Sequence, residues 1–191
     1  MPGTVPPVVD EREGLLAYLA QMRNAFDIVA YGLTDEQARS APSVSVLTIG
    51  GLIRHVTATE RYWMSLVRNE PHQRDEGEYD DNFRFGPDDT LAAVLADYHD
   101  CARETEDLIA SIDDLGQAVP VPRDAPWFPD DIEAWSVRWV LMHLIQETAR
   151  HAGHADIVRE SIDGATLYPL MAGYEGWPAT DWLQPWKPEA V

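Results

Sequence analysis

The feature that most constrains this chain is a three-four rhythm of apolar residues that returns in four long segments. From about Asp88 to Ile112, Leu91, Val94, Tyr98, Cys101, Thr105, Leu108 and Ile112 keep it without a break. A repeat of that spacing lines one face of an α-helix and suits no strand. A first segment, about 10–31, carries it through Leu15, Leu19, Met22, Phe26 and Val29, with Gly32 as its stop. A second runs from about 48 to 68, with Ile53, Val56, Trp63 and Val67 on one side, and His55, Thr59 and Leu66 beside them. The fourth runs from about Ser136 to Ile162 and ends at Asp163-Gly164. A short piece, Thr34 to Ala38, opens with a capping-box pattern of Thr34 and Gln37.

Four amphipathic helices with one stripe each bury those stripes against one another. The expected fold is therefore all-α, an antiparallel four-helix bundle, as a single domain over residues 1–191. The connections differ in character. Residues 71–87 are polar and aperiodic, which predicts a loop. Residues 113–135 hold four prolines and two tryptophans, Trp127 and Trp135, and form a long connection of the kind that often carries function. The tail from Ala165 to Val191 is rich in proline and aromatic residues; it is expected to be extended and to pack on the helices or on a partner subunit. Val44 to Leu47 alternates too briefly, just before a helix, to predict a strand.

Charge and composition narrow the function. With 14 basic against 33 acidic residues, a net charge of −19, and no basic patch, the chain would repel a nucleic acid. No apolar run approaches a membrane span and the N-terminus carries no secretory pattern, so a cytoplasmic protein is expected. The single cysteine, Cys101, lies on a core stripe and is expected to be a small buried hydrophobe, not a nucleophile. Of the basic residues only Lys187 is a lysine, a skew that suggests a high-GC bacterial genome.

Chemistry concentrates on the fourth helix. At about 100° per residue, with His143 at zero, Glu147 falls near 40°, His151 near 80° and His154 near 20°. Val140 and Val158 share that face. A glutamate among histidines on a partly apolar face needs a partner. A divalent cation would supply one, because Glu147 and His151 can reach one ion from successive turns and His55 is the best third ligand. Two imidazoles and one carboxylate leave coordination positions open, which is the pattern of a catalytic metal. The plainer alternative is an i, i+4 ion pair of Glu147 with His151, or neutralisation of Glu147 by Arg150. His72 and His99 belong to no such cluster and are expected at the surface.

His55 in the second helix, Glu147 and His151 four apart in the fourth, and the string ETARHAGHADIVRESIDG preceded by RWVLMHLIQ resemble the DinB/YfiT-like superfamily of metal-binding four-helix bundles. The match spans roughly residues 10–165. It is closest to an actinobacterial branch similar to mycothiol-dependent enzymes, including the mycothiol-dependent maleylpyruvate isomerase. The resemblance implies metal ligands at His55, Glu147 and His151. Glu147 departs from the commoner pattern, which has histidine there, and agrees with the isomerase-like one. His154 stands where many relatives have glutamine and is assigned either a supporting role or that of a catalytic proton carrier, while His143 can orient Glu147.

The implied activity is transfer of a low-molecular-weight thiol, mycothiol or another, to a small electrophile. The implied cofactor is zinc, with nickel as the alternative, and the implied assembly is a homodimer. Arg54, Arg138 and Arg150 are candidates to hold carboxylates, although a structural place suits each better. The Trp127–Trp135 loop and the tail tryptophans are candidates to line a pocket, with ordinary packing the favoured assignment. Two other functions fit the residues: a metal-dependent hydrolase or isomerase that uses water, with His154 as base, and a non-catalytic, metal-stabilised interaction module.

Overall fold

The structure, a computed structural model, describes residues 3–70, 81–123 and 126–188. The four long helices form where the periodicity puts them: α1 (Glu11–Ala30), α3 (Ile49–Val67), α4 (Leu91–Ser111) and α5 (Val137–Asp163), with the short α2 (Asp35–Arg39) between the first two. Their ends have local chemical causes. Asp10, Thr48, Thr90 and Ser136 each accept a hydrogen bond from a first-turn backbone N–H. Thr34 and Gln37 complete the expected capping box on α2. α5 stops at Gly164, whose φ of +73° is left-handed and open to glycine at no cost.

α5 is the spine. α1 packs along it, and α3 lies against both α5 and α4. Among the described residues the result is an all-α bundle with a two-stranded ribbon added. The core has two apolar halves. One gathers Phe26, Ile53, Val56, Tyr98 and Val158; the other gathers Leu19, Trp63, Ile109, Val140 and Leu144. The residues that fall between the halves along each helix are polar and nonetheless buried: Arg23 on α1, Thr57 and Glu60 on α3, Thr105 on α4, Thr148 and His151 on α5.

This band is paired internally. Arg23 donates through Nε (3.1 Å) and one terminal nitrogen (2.5 Å) to the two oxygens of Glu60, and Thr105 donates its hydroxyl to the same carboxylate at 2.5 Å. Glu106 takes the other end of the guanidinium at 3.1 Å. One carboxylate thus ties three helices together. Cys101 sits beside the band, buried, with its thiol directed at the Thr57 carbonyl.

Two departures from the sequence expectations stand out. The start of the tail is helical, α6 (Leu167–Glu175), even though it contains Pro169. That proline falls in the first turn, where a missing N–H has no intrahelical partner to lose. The rest of the tail packs on this chain's own helices, one of the two places expected of it. Trp186 donates its backbone N–H to Pro169, meets Tyr31 edge to face, and lies under the fully buried guanidinium of Arg159. Arg159 also donates to the carbonyls of Val29 and Tyr31, so it joins α5, the end of α1 and the tail.

In the long connection, β1 (Ala118–Pro120) pairs antiparallel with β2 (Ala134–Ser136), with Val119 opposite Trp135. Proline is tolerated because both strands of a two-stranded ribbon are edges. Residues 82–90 are irregular, as expected of that loop; residues 71–80, with His72, lie outside the described residues. No helix among the described residues is long and apolar enough to cross a membrane.

Glu60→Ala would leave Arg23 buried with only a half-exposed partner at one end. A loss of about 3 kcal/mol is expected in urea unfolding, since breaking a buried pair strands a charge. An unchanged midpoint would show that the band contributes no stability.

Candidate metal centre

The centre is built by two helices. α5 presents Glu147 and His151 one turn apart, and α3 brings His55 to them. His151 Nε2 lies 3.1 Å from Glu147 Oε1, and His55 Nε2 lies 3.8 Å from the same oxygen. One donor atom from each residue falls within 4.8 Å of the other two. Among the described residues this is the group of histidine, cysteine and acidic side chains that can share a cation. The three residues named from sequence are therefore brought together.

The separations fit a shared ion. Two ligands bonded at about 2.1 Å in a tetrahedral arrangement stand about 3.4 Å apart, and the observed 3.1 and 3.8 Å bracket that value. Hydrogen bonding from His151 first, and then from His55, holds the Glu147 carboxyl well below the usual carboxylate range against the opposing effect of burial. The carboxylate is thus ionised and available as an anionic ligand. Arg150, the alternative neutralising partner, is exposed.

His55 is fixed by its surroundings. Its ring is buried and stacks on Phe83 at 3.8 Å between centroids, 14° from parallel. Phe83 can approach because α3 carries Gly50-Gly51. A Cβ on Gly51 would stand 2.1 Å from the Phe83 carbonyl oxygen, and one on Gly50 2.3 Å from the Phe85 ring. The glycine pair therefore lets the segment 83–85 lie on the helix and brace the histidine.

A cavity of about 480 Å³ opens beside the centre. His55, Glu147 and His143 reach its wall, with Ala58, Thr59, Tyr62 and Trp63 from α3, Trp139 from α5, Asn82, and Trp127, Phe128, Pro129 and Trp135 from the long connection. Trp127 and Trp135 thus line a pocket and are not merely packing, whereas Trp177 and Trp186 of the tail lie elsewhere, against α1 and α6, and Trp182 is exposed. Sequence spacing held a signal for this wall. Trp135, Trp139, His143, Glu147 and His151 recur every fourth residue and form one row.

His143 stacks on Trp139 at 5.2 Å and meets Trp63 at 4.7 Å. Burial pushes its pKa below the ordinary value, with Glu147 opposing, so the ring is neutral at pH 7 and able to accept a proton. His154 is placed differently. Its ring is 5.4 Å from that of His151, on the turn beyond, and it is not among the residues lining the cavity. The arginines weighed as anion holders are engaged elsewhere or exposed: Arg54 pairs with Asp89, Arg138 with Glu11, and Arg150 faces solvent. His99 pairs with Asp27 at the surface. Burial, with Glu60 adding to it, pushes the Cys101 thiol up to about 12 and removes it as a nucleophile.

A family model described as Mycothiol-S-transferase matches residues 14–164, the stretch from α1 through the C-cap of α5. A search of curated proteins finds no match. Among solved structures, a crystal structure of a conserved protein from Enterococcus faecalis superposes with a TM-score of 0.64 at 12% identity, over 83% of this chain and 100% of that one. At that identity the likeness shows the fold alone.

Two outcomes are expected. An Ellman-type reagent should leave the native protein unlabelled and modify one thiol per chain after unfolding; fast labelling of the native state would contradict the burial of Cys101. Asp156, on the turn after His151, is pushed up to about 6 by burial and by Glu160. Its charged form is therefore penalised in the fold. The penalty is absent below the unfolded value of about 4 and complete above 6. Asp156→Asn should raise the melting temperature at pH 7 and leave it unchanged at pH 3.5. An equal effect at both would rule out the titration.

Proposed function

The chain belongs to the mycothiol-S-transferase family, and from that premise we propose that it is a metal-dependent thiol S-transferase. It would join a low-molecular-weight thiol of the mycothiol type to a small electrophile. The observation that carries this is the convergence of His55, Glu147 and His151 beside an open cavity whose wall His55 and Glu147 reach. A centre closed by four protein ligands, with no cavity at its side, would have suited a structural metal instead.

His55, Glu147 and His151 would hold the ion, zinc or nickel, through two imidazole nitrogens and one carboxylate oxygen. The bound ion would supply a Lewis acid that lowers the pKa of a thiol at its open position. The chain's own residues would do the rest. His143, neutral and in the cavity wall, accepts the thiol proton. The sulfur then forms its bond to the electrophilic carbon. Either a leaving group departs with its electron pair, or the adjacent atom takes up the displaced pair and a proton. Thr59 and Asn82 offer hydrogen bonds to the polar body of the thiol. His154 acts through His151, as a positioning residue on the turn beyond it. Phe83 holds the His55 ring in place.

The test is conjugation of a mycothiol-type thiol to a small electrophile, with product followed by mass spectrometry. His55→Ala and His151→Ala should abolish turnover, His143→Ala should lower it while leaving the metal bound, and Cys101→Ser should retain it. Turnover that needs no thiol would contradict the transferase assignment and favour hydrolysis or isomerisation. Loss of activity in a folded Cys101→Ser protein would contradict the role of the centre.

A further inference from the structure

The cavity is furnished for one kind of molecule. Trp135 and Trp139 stack face to face, 4.1 Å apart and 3° from parallel, and His143 continues the ladder 7° from parallel with Trp139. Trp63 touches both indoles, its centroid 5.6 Å from each and its plane tilted 57° to them. Phe128 closes on Trp63 edge to face at 6.1 Å. Two of the rings are left partly to water at the cavity: Trp127 is 66% and Trp139 36% exposed. Water-exposed indoles around a concave space gain when another apolar, flat surface displaces that water.

Charge points the same way. Among the described residues lining the cavity there is no lysine and no arginine, and the carboxylate is Glu147. Arg54 and Arg138 are already committed to Asp89 and Glu11. Among the described residues, a substrate bearing carboxylates would find no guanidinium fork at the cavity, and it would enter the field of a chain of net charge −19. A site rejects a ligand most strongly where the ligand's charges would go unpaired.

We propose that this cavity binds an uncharged, flat aromatic ring against the water-exposed indoles of Trp127 and Trp139, and that this ring belongs to the electrophilic co-substrate. The assignment of the ring to the electrophile rests on the transferase reading above; the binding of the ring does not. Neutral aromatic electrophiles are then the substrate class, in preference to dicarboxylic ones. The reactive carbon would sit toward the His143 end of the ladder, nearest Glu147 and His55.

The test is equilibrium dialysis of the full chain with unreactive probes and no thiol, repeated with chelator and with added zinc. The probes are naphthalene-2-carboxamide, naphthalene-2,6-dicarboxylate, and a saturated amide of similar size. The neutral ring should bind at least tenfold more tightly than either other probe, with or without zinc. Trp139→Ala and Trp127→Ala should each weaken it about threefold to tenfold. Trp127 is largely exposed, so its variant folds whatever the fate of the Trp139 one. Equal or tighter binding of the dicarboxylate or the saturated amide, no binding of the neutral ring, or full retention in the Trp127→Ala protein would overturn the proposal. Ring binding by a protein that conjugates no thiol would overturn the transferase reading, and with it the assignment of the ring to an electrophile, and leave the ring site standing.

Discussion

The arrangement depends on one carboxylate. Glu147 is ionised, half-buried, and approached by two imidazole nitrogens at 3.1 and 3.8 Å. Such a group is tolerated inside a bundle only if its neighbours are held in place. His151 is held by being on the same helix. His55 must be delivered by α3, and that requires α3 to pack closely on α5 and its own ring to be braced by Phe83. The close approach of Phe83 in turn needs Gly50 and Gly51. A constraint on one side chain therefore reaches back to the choice of glycine on another helix.

The row on α5 gives the centre its access. Residues spaced by four advance about 40° around a helix at each step. The row that starts with Trp139 at the cavity therefore winds inward, through His143 and Glu147, to the buried His151. Ring stacking along its outer part and metal-ligand chemistry along its inner part are two uses of one geometric line. Arg23, Glu60 and Thr105 tie α1, α3 and α4 together elsewhere in the polar band, so the band serves stability there and chemistry on α5.

Much of this was legible in the sequence because it is local. The helices follow from apolar spacing and caps: Thr34 with Gln37, Ser136, and Gly164. Glu147 and His151 share a face by the arithmetic of a single helix. The grouping with His55 was within reach because few imidazoles lie on core faces. What escaped depends on residues distant in sequence. The Arg23–Glu60 pair, the burial of Arg159 beneath Trp186, and the pairing of Arg138 with Glu11 cannot be read from any window of the chain. Strand β1 was hidden by Pro120 and β2 by its length of three residues, and α6 by Pro169 and its aromatic neighbours. The cavity was half visible, because Trp127 and Trp135 could equally have packed into a core. His154 shares its angular position with His143 but lies about 16 Å further along the helix axis, beyond His151 and off the cavity wall.

The account stands or falls on whether His55, Glu147 and His151 hold an ion. The most direct measurement is the metal content of the untagged protein by elemental mass spectrometry, beside a His55→Ala/His151→Ala double variant of unchanged helical content. The account predicts about one zinc or nickel per chain in the wild type and none in the variant. An empty wild type after zinc and nickel have each been offered and dialysed away would contradict it, as would equal occupancy in the variant.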